Sequence, residues 1–335
     1  MGIDLPLIWA VVIIFGIMMY VVMDGFDLGI GILFPFVKGE RDRDVMMNTV
    51  APVWDGNETW LVLGGGGLLA VFPLAYSVLM PALYMPVIAM LLGLIFRGVA
   101  FEYRFKTKRA KGIWDLSFIT GSLIAAMSQG IMLGAMLQGI QVTDRAYSGG
   151  WFDWLTPFTI FCGVAVVIGY MMLGATWLVM KTSGDLQGQS YRAGWYTTIL
   201  LVACIAFVSL YLPYVDMFIA ERWFTYPASV GLWALPILLA VMTIGLLRSL
   251  HRKQEGRPYL WGLGMFLLAY AGFAVSIFPY LVPRSITLWE AAAPDNSLKF
   301  LLVGAVFLLP IIFAYTGYTY WVFRGKVDPD SGYHD

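Results

Sequence analysis

The chain has 335 residues, of which 60% are hydrophobic and only 13% are charged, and its mean hydropathy is +0.76. Soluble domains contain roughly 45–50% apolar and about 25% charged residues, so this composition excludes a water-soluble globular protein. The 21 basic and 21 acidic residues balance, which argues against nucleic-acid binding and against a polybasic membrane anchor. We therefore predict an all-α, polytopic integral membrane protein.

The apolar segments predict about nine transmembrane helices in a single membrane domain, residues 1–335. A helix needs about 20 mostly apolar residues to cross a bilayer. The predicted spans are residues 5–23, 59–77, 80–96, 116–143, 155–180, 193–215, 223–247, 258–283 and 300–323. Residues 59–96 carry no charge and would extend about 57 Å as one helix, near twice the hydrocarbon thickness. We therefore expect a hairpin that turns at residues 77–81.

The basic residues predict the orientation of these spans. With the N-terminus outside, only four of the 21 basic residues fall in outer loops: Arg145, Arg222, Arg284 and Lys299. Cytoplasmic loops are enriched in Lys and Arg, so we expect a periplasmic N-terminus and a cytoplasmic C-terminus. The first apolar segment lacks a basic flank and a small-residue cleavage site, so it is expected to remain as a span.

Few residues in the spans suit metal or cofactor chemistry. Both histidines, His251 and His334, lie in polar segments, so haem ligation by this chain alone is not expected. The two cysteines, Cys162 and Cys204, lie in apolar segments and are expected to be buried, unpaired thiols. Glycines spaced four apart at 25/29 and 130/134, and the run of four at 64–67, predict close helix packing.

Carboxylates gather at the predicted cytoplasmic ends of the first three spans. Asp24 and Asp27 are three residues apart, as are Asp55 and Glu58, so each pair can share one helix face. Carboxylates crowded in a low-dielectric setting cannot all ionise freely, and one of them can then exchange a proton near neutral pH. Such residues at a membrane are candidates for a proton path.

Structural roles are the alternative for the same residues. Asp55 followed by Glu58 resembles a capping box at a helix start. Asp24 precedes a glycine and could mark a helix kink or exit. Arg97 ends the third span and is followed by Glu102; it could be a cytoplasmic anchor or the ion-pair partner of a carboxylate. Capping and proton transfer can coexist, because a capped carboxylate still titrates.

The motifs resemble those of subunit II of the cytochrome bd family of quinol oxidases, nearly end to end. The D-G-F-D motif at 24–27 followed by W-D-G-N at 54–57 is the most specific part of the resemblance. The other matching positions are Gly29, Gly31, 51–53, Trp60, Arg97, Phe101, Tyr103, Arg104, Gly130, Gly134, 137–139, 174–176, 278–279, Pro283, 288–291, 310–312 and 315–316. The short length and the motif sequences are closest to the cyanide-insensitive branch of the family, in which the haem types can differ from those of typical bd enzymes.

This resemblance implies a fold and an activity. Nine helices are expected as two four-helix bundles plus one extra helix, in the bacterial inner membrane. The chain would pair with a subunit I that carries haem b and haem d, or a b-type substitute, and together they would oxidise quinol and reduce oxygen to water. This chain would ligate no cofactor itself. A structural quinone, membrane lipid and a small accessory subunit are further partners that the resemblance allows.

The resemblance also suggests roles for single residues. Asp55 matches the carboxylate thought to feed protons toward the haem pair, and Asp24 and Asp27 match the acidic residues around that entry. Glu58 departs from the pattern, because its position is not acidic in every member. Arg97 is expected to balance the charge of the cluster.

Trp54 and Asn57 belong to the same motif as Asp55, and Glu102 is a further supporting charge.

Two other functions fit the sequence. A proton-coupled secondary transporter would act without a haem-bearing partner, although transporter folds often show paired repeats with broken helices near the midplane. A structural scaffold would tolerate substitution of every carboxylate.

Overall fold

The structure is a computed structural model that describes residues 4–107 and 109–328. The long helices are α1 (Leu5–Leu33), α3 (Trp54–Val71), α5 (Tyr84–Arg104), α6 (Lys111–Gln138), α7 (Pro157–Lys181), α8 (Gly184–Val215), α11 (Ala234–His251), α12 (Arg257–Ile277) and α14 (Asp295–Val322). The shorter ones are α2 (Glu40–Asn48), α4 (Pro73–Ala82), α9 (Met217–Phe224), α10 (Ala228–Leu232) and α13 (Leu288–Ala291), with a 3₁₀ turn at Phe34–Phe36. Two small antiparallel hairpins pair β1 (Val142–Thr143) with β2 (Ala146–Tyr147), and β3 (Tyr280–Val282) with β4 (Ile286–Thr287).

Within the described residues, eight helices are long and apolar enough to cross a membrane, or nine if the bent pair α3 and α4 counts as one span. This result confirms the predicted all-α polytopic fold with about nine spans. Both cysteines are buried and unpaired, as expected.

The predicted hairpin turn at residues 77–81 is wrong, because these residues lie inside α4. The chain instead bends by 120° between α3 and α4, at Phe72, and turns again at Leu83 before α5. Pro73 occupies the first position of α4. Proline disfavours helical backbone at the residue before it and cannot donate the next helical hydrogen bond, so α3 ends at this point.

Helix α1 lies at the centre of the fold and packs against α3, α6, α7 and α12. Its crossing with α7 brings two backbones together, since a Cβ added to Gly29 would overlap the carbonyl oxygen of Tyr170. At the α5–α6 crossing, a Cβ on Gly93 would lie 2.7 Å from the carbonyl oxygen of Gly121. Small residues allow such approach where lipid supplies no hydrophobic driving force between helices. The C-terminal half of α1 is thereby buried on all sides.

The two ends of the bundle are built differently. At the end that carries the hairpins, Arg284 pairs with Asp216 and donates to the carbonyl oxygen of Gln138 at 2.8 Å. At the same end, Trp9 Nε1 donates to the carbonyl oxygen of Leu298 at 3.0 Å. The opposite end holds the C-terminus of α1, the start of α3, the end of α5 and all of α2, and it carries the charged residues described below.

Three helices leave most of their apolar surface exposed. In α14 only Leu298 is buried, and in α11 the buried residues all lie in the last six positions. Phe300 in α14 and Leu210 in α8 are about four-fifths exposed. An apolar surface of this extent is expected on helices that face lipid or another membrane subunit.

Candidate functional site

The site forms around two aspartates in the C-terminal half of α1. Asp24 and Asp27 are completely buried, in a stretch where every residue from Val22 to Leu33 is buried. This burial follows from the close crossing of α1 with α7, which places the side chains of Tyr170 and Leu173 against Gly25 in the D-G-F-D segment. A charge removed from water is tolerated only when it is paired or hydrogen-bonded. The partners of the two aspartates therefore define the site.

Arg97 is the charged partner of Asp24. It comes from α5, is completely buried, and donates from Nη1 to Asp24 Oδ1 at 2.5 Å. Its Nη2 donates to Glu58 Oε1 on α3, whose side chain is 26% exposed. One guanidinium therefore joins three helices through two carboxylates. Arg97 is therefore the ion-pair partner of a carboxylate, which is one of the two roles considered for it. Asp24 lies inside α1 and does not mark the end of that helix.

Asp27 is held by a neutral group. Asn57 Nδ2 donates to Asp27 Oδ2 at 2.8 Å and to the carbonyl oxygen of Met23 at 3.2 Å. Tyr320, near the end of α14, donates its hydroxyl proton to Asn57 Oδ1 at 2.8 Å. Asp27 Oδ1 accepts no hydrogen bond from the described residues. Asp27 is therefore buried without a cation in direct contact in this part of the chain.

The other residues of the W-D-G-N motif lie at the surface of the site. Asp55 is exposed in the first turn of α3, one turn before Glu58. The N-cap of α3 is Val53, with no side-chain cap, so the capping-box alternative for Asp55 is wrong. The Trp54 ring stacks on Phe101 of α5, with the ring centres 5.0 Å apart. That contact fixes the start of α3 against the end of α5.

Glu102 does not belong to this cluster. Its side chain is about half exposed and pairs with Lys106 one helical turn further along, at 3.3 Å. Glu102 follows Arg97 by five residues, which places it on a different face of α5. The short distance between Arg97 and Glu102 in sequence suggested that both belong to one charged cluster. The rotation of the helix between them instead turns their side chains to different sides of α5.

A second ion cluster lies at the same end of the bundle, and the sequence analysis did not identify it. Arg104 is completely buried and donates from Nε to Asp115 Oδ1 at 2.5 Å, and it also pairs with Asp44 of α2. Arg43 donates to Asp115 Oδ2 at 3.1 Å. The segments 38–48 and 102–115 resemble ordinary polar connectors, so the signals were their density of opposite charges and the match of Arg104 to the family motifs. Because each charge here has an opposite partner, the cluster fixes α2 against α5 and α6.

The surface of α2 adds an exposed pair to this arrangement. Lys111 at the start of α6 hydrogen-bonds to Glu40 at the start of α2. This hydrogen bond, together with the charge of Lys111, lowers the pKa of the exposed Glu40 carboxyl. A hydrogen bond to the charged form of a carboxyl favours that form. Glu40 therefore stays ionised and tethers α2 without joining the buried cluster.

The described residues contain one histidine and two cysteines. His251 is exposed at the C-terminal end of α11, and His334 lies outside the described residues. No group of three or more His, Cys, Asp or Glu side chains in this part of the chain is placed to hold a metal ion. The chemistry of the site is that of carboxylates, one guanidinium, an amide and a tyrosine.

Comparison with known proteins identifies the family of the chain. The family model for cytochrome bd terminal oxidase subunit II matches residues 5–323. The chain belongs to this family. It is 29% identical to cytochrome bd-I ubiquinol oxidase subunit 2 of Escherichia coli strain K12, over 93% of this chain and 92% of that protein. It is 31% identical to cytochrome bd ubiquinol oxidase subunit 2 of Bacillus subtilis strain 168, over 91% of each.

The fold has a counterpart among solved structures. The bd oxidase structure from Geobacillus thermodenitrificans matches with a TM-score of 0.79, covering 96% of this chain and 99% of that chain at 14% sequence identity. At this identity the likeness concerns the fold alone. Family membership together with the apolar helices makes the chain a multi-pass protein of the bacterial inner membrane.

Proposed function

We propose that this chain is subunit II of a quinol oxidase that reduces oxygen to water, and that it supplies protons from the cytoplasmic side. It would assemble with a haem-bearing subunit I, and the haem b and haem d, or their b-type substitute, would sit on that subunit. The relatives are named as subunits of ubiquinol oxidases.

The observation that carries the proton role is the charge balance of the buried cluster. Asp24 and Glu58 both pair with Arg97, and the buried Asp27, three residues after Asp24, adds a third carboxylate without a second cation in contact among the described residues. With all three carboxylates ionised, the cluster would hold two uncompensated negative charges, which a low-dielectric interior strongly disfavours. The cluster therefore retains protons that its members exchange as a coupled group. Asp27 is the member most suited to hold a proton, because its contact is the neutral Asn57.

The route into the cluster follows α3. Asp55 is exposed, Glu58 lies one turn deeper and is partly exposed, and Arg97 connects Glu58 to the buried Asp24. A proton taken up at Asp55 can reach Glu58 through water and then pass into the buried part. The excess of Lys and Arg in the loops at this end supports a cytoplasmic location for it, with the N-terminus in the periplasm.

Replacing Asp55 tests the entry step. We expect Asp55→Asn to lower quinol-driven oxygen consumption roughly tenfold, because a positioned proton-transfer group is lost while water partly substitutes for it. The matched control is Asp185→Asn, since Asp185 is also an exposed carboxylate in the first turn of a helix. The control should keep wild-type turnover. Equal turnover in the two assembled complexes would remove the role of Asp55.

A purification experiment tests the assignment itself. The chain would be tagged, purified gently from native membranes, and examined by a reduced-minus-oxidised visible spectrum. Haem bands together with a larger co-purifying membrane subunit are expected. A haem-free chain that purifies alone, with quinol oxidase activity left in other fractions, would contradict the oxidase assignment and favour a stand-alone transporter.

A further inference from the structure

A cleft of about 200 Å³ lies between α8 and α11, at the same end of the bundle as the carboxylate cluster. The two helices pack against each other there. Six residues line the cleft: Tyr191, Arg192, Trp195, Tyr196, Leu250 and His251. Of these, Leu250 is buried, and Arg192, Tyr196 and His251 are exposed. None of the six takes part in the site described above.

The polar groups of this lining are available to a ligand. Arg192, Tyr196 and His251 make no hydrogen bond or ion pair with the rest of the described chain. The guanidinium offers five N–H donors, each tyrosine hydroxyl offers one, and imidazole donates in either protonation state. Among the described residues that line the cleft there is no carboxylate. This set of donors suits a phosphate, which guanidinium groups bind through paired hydrogen bonds.

The charge around the cleft is positive. Residues 248–257, which hold the end of α11 and the turn after it, contain four Arg or Lys residues and one acidic residue, Glu255. Glu255 is already engaged, because Lys326 pairs with it at 2.6 Å and Gln187 donates to it at 3.1 Å. Basic pockets between membrane helices attract anionic headgroups. The surroundings of the cleft therefore favour a ligand with net negative charge.

Both helices change from charged to uncharged sequence at the level of the cleft. In α8, Arg192 is the last charged residue before the uncharged residues 193–215. In α11, the uncharged residues 223–247 end one turn before His251. Such a boundary marks the headgroup region of a bilayer, where tryptophan and tyrosine are enriched. The tryptophan and two tyrosines of the lining agree with this level, so the cleft lies where lipid phosphates lie.

Apolar surface continues from the cleft along both helices. Ile199 follows Arg192 by seven residues, and Ile244 precedes His251 by seven, so each pair lies on one helix face. Ile199 is 47% exposed and Ile244 is 64% exposed. The volume of the cleft is below the roughly 300–1,000 Å³ of sites that enclose a whole small molecule. The cleft therefore suits one headgroup whose apolar chains stay outside, against α8 and α11.

We propose that this cleft binds the phosphate of an anionic phospholipid, with Arg192 and His251 donating to the phosphate oxygens and the acyl chains lying along α8 and α11. A free phosphate ion would use the same donors and would leave the apolar faces without a partner. The lipid is therefore the occupant that accounts for both parts of the surface. The site is separate from the carboxylate cluster and does not depend on its proposed proton role.

Native mass spectrometry of the purified oxidase complex, titrated with phosphatidylglycerol, tests the site. Arg192→Gln removes the guanidinium and should assemble normally, because Arg192 is exposed. We expect the affinity for one phosphatidylglycerol molecule to fall about tenfold, since a charge-assisted hydrogen bond to its phosphate is lost. The variant complex should accordingly retain one phosphatidylglycerol fewer than the wild type. Equal retention by the two complexes would refute the site.

Arg252→Gln is the matched control. Arg252 is exposed, directly follows His251 and does not line the cleft, so its replacement removes the same charge from the same end. We expect its affinity for phosphatidylglycerol to change by less than about twofold, because a charge in water acts on the lipid only through a screened field. Equal losses in Arg192→Gln and Arg252→Gln would show a general attraction to this basic end and would overturn the proposal.

Two further probes identify the source of the phosphate. Phosphatidylcholine has no net charge and should bind the wild-type complex more weakly than phosphatidylglycerol, and inorganic phosphate should not displace the bound lipid. Displacement by inorganic phosphate would assign the cleft to a free ion and overturn the lipid assignment. Equal binding of phosphatidylcholine would overturn the preference for an anionic lipid. None of these measurements uses turnover, so their failure is distinct from a failure of the proposed proton role.

Discussion

Replacing Arg97 by methionine removes the one cation in contact with the buried cluster and keeps a side chain of similar length. Asp24 is then left with its side chain 1% exposed and no ion pair. Removing one partner of a buried ion pair typically costs about 3–5 kcal/mol, because the other charge stays uncompensated. The Glu58 side chain is 26% exposed, and such partly solvated pairs contribute less than about 1 kcal/mol. We therefore expect a loss of about 3–5 kcal/mol, almost all of it from the Asp24 side.

Two further variants separate the pair from the packing. In the double variant Arg97→Met with Asp24→Asn, no uncompensated charge remains at Asp24, so the double variant should be more stable than Arg97→Met alone by roughly 2 kcal/mol. Lys106→Met serves as the control for removing a basic residue, because Lys106 lies just after α5 and its pair with Glu102 is mostly exposed. It should leave stability unchanged.

Unfolding of the purified complex in mixed detergent micelles at neutral pH would give these differences. A loss below about 1 kcal/mol at neutral pH would refute the reasoning. So would a double variant whose loss equals the sum of the two single losses, because additivity means that the two side chains do not interact.

Two further predictions concern the frame around the site. Gly29→Ala should sharply lower the yield of assembled complex, because its Cβ would overlap the Tyr170 carbonyl oxygen and force α1 and α7 apart; Gly66→Ala, with nothing within 4 Å, should assemble normally. Arg284→Met leaves the buried Asp216 unpaired, and because Arg284 is itself 40% exposed we expect only about 1 kcal/mol of destabilisation. An unchanged thermal midpoint would show that this pair is not stabilising.

Composition and residue order by themselves determined the class of protein and predicted where the candidate site lies along the chain. Long uncharged segments can be stable only in lipid, and a helix there satisfies its own backbone hydrogen bonds, so the spans follow from local properties. Asp24, Asp27, Asp55 and Glu58 stand out for the same reason, since charges beside apolar segments are expensive. Asn57 of the W-D-G-N motif donates a hydrogen bond to Asp27, and the motif match had already singled out Asn57.

Local properties were insufficient where the outcome depended on helix rotation. Glu102 and Asp55 lie close to the cluster in sequence, yet both are exposed. The bend at Phe72 has a local cause, because Pro73 follows it. The prediction used only the length of the uncharged segment, and it therefore put the turn at residues 77–81, several residues after the observed bend.

Only the tertiary structure decided which residues meet. Arg97 reaches Asp24 across 73 positions, and Tyr320 reaches Asn57 across 263. Such pairs depend on the crossing of whole helices, and the crossings depend on contacts such as Gly29 against the backbone of α7. Each residue type is compatible with many such crossings, so no local pattern specifies a partner. Sequence determines which groups are costly to bury, and the packing of the helices determines which groups compensate them.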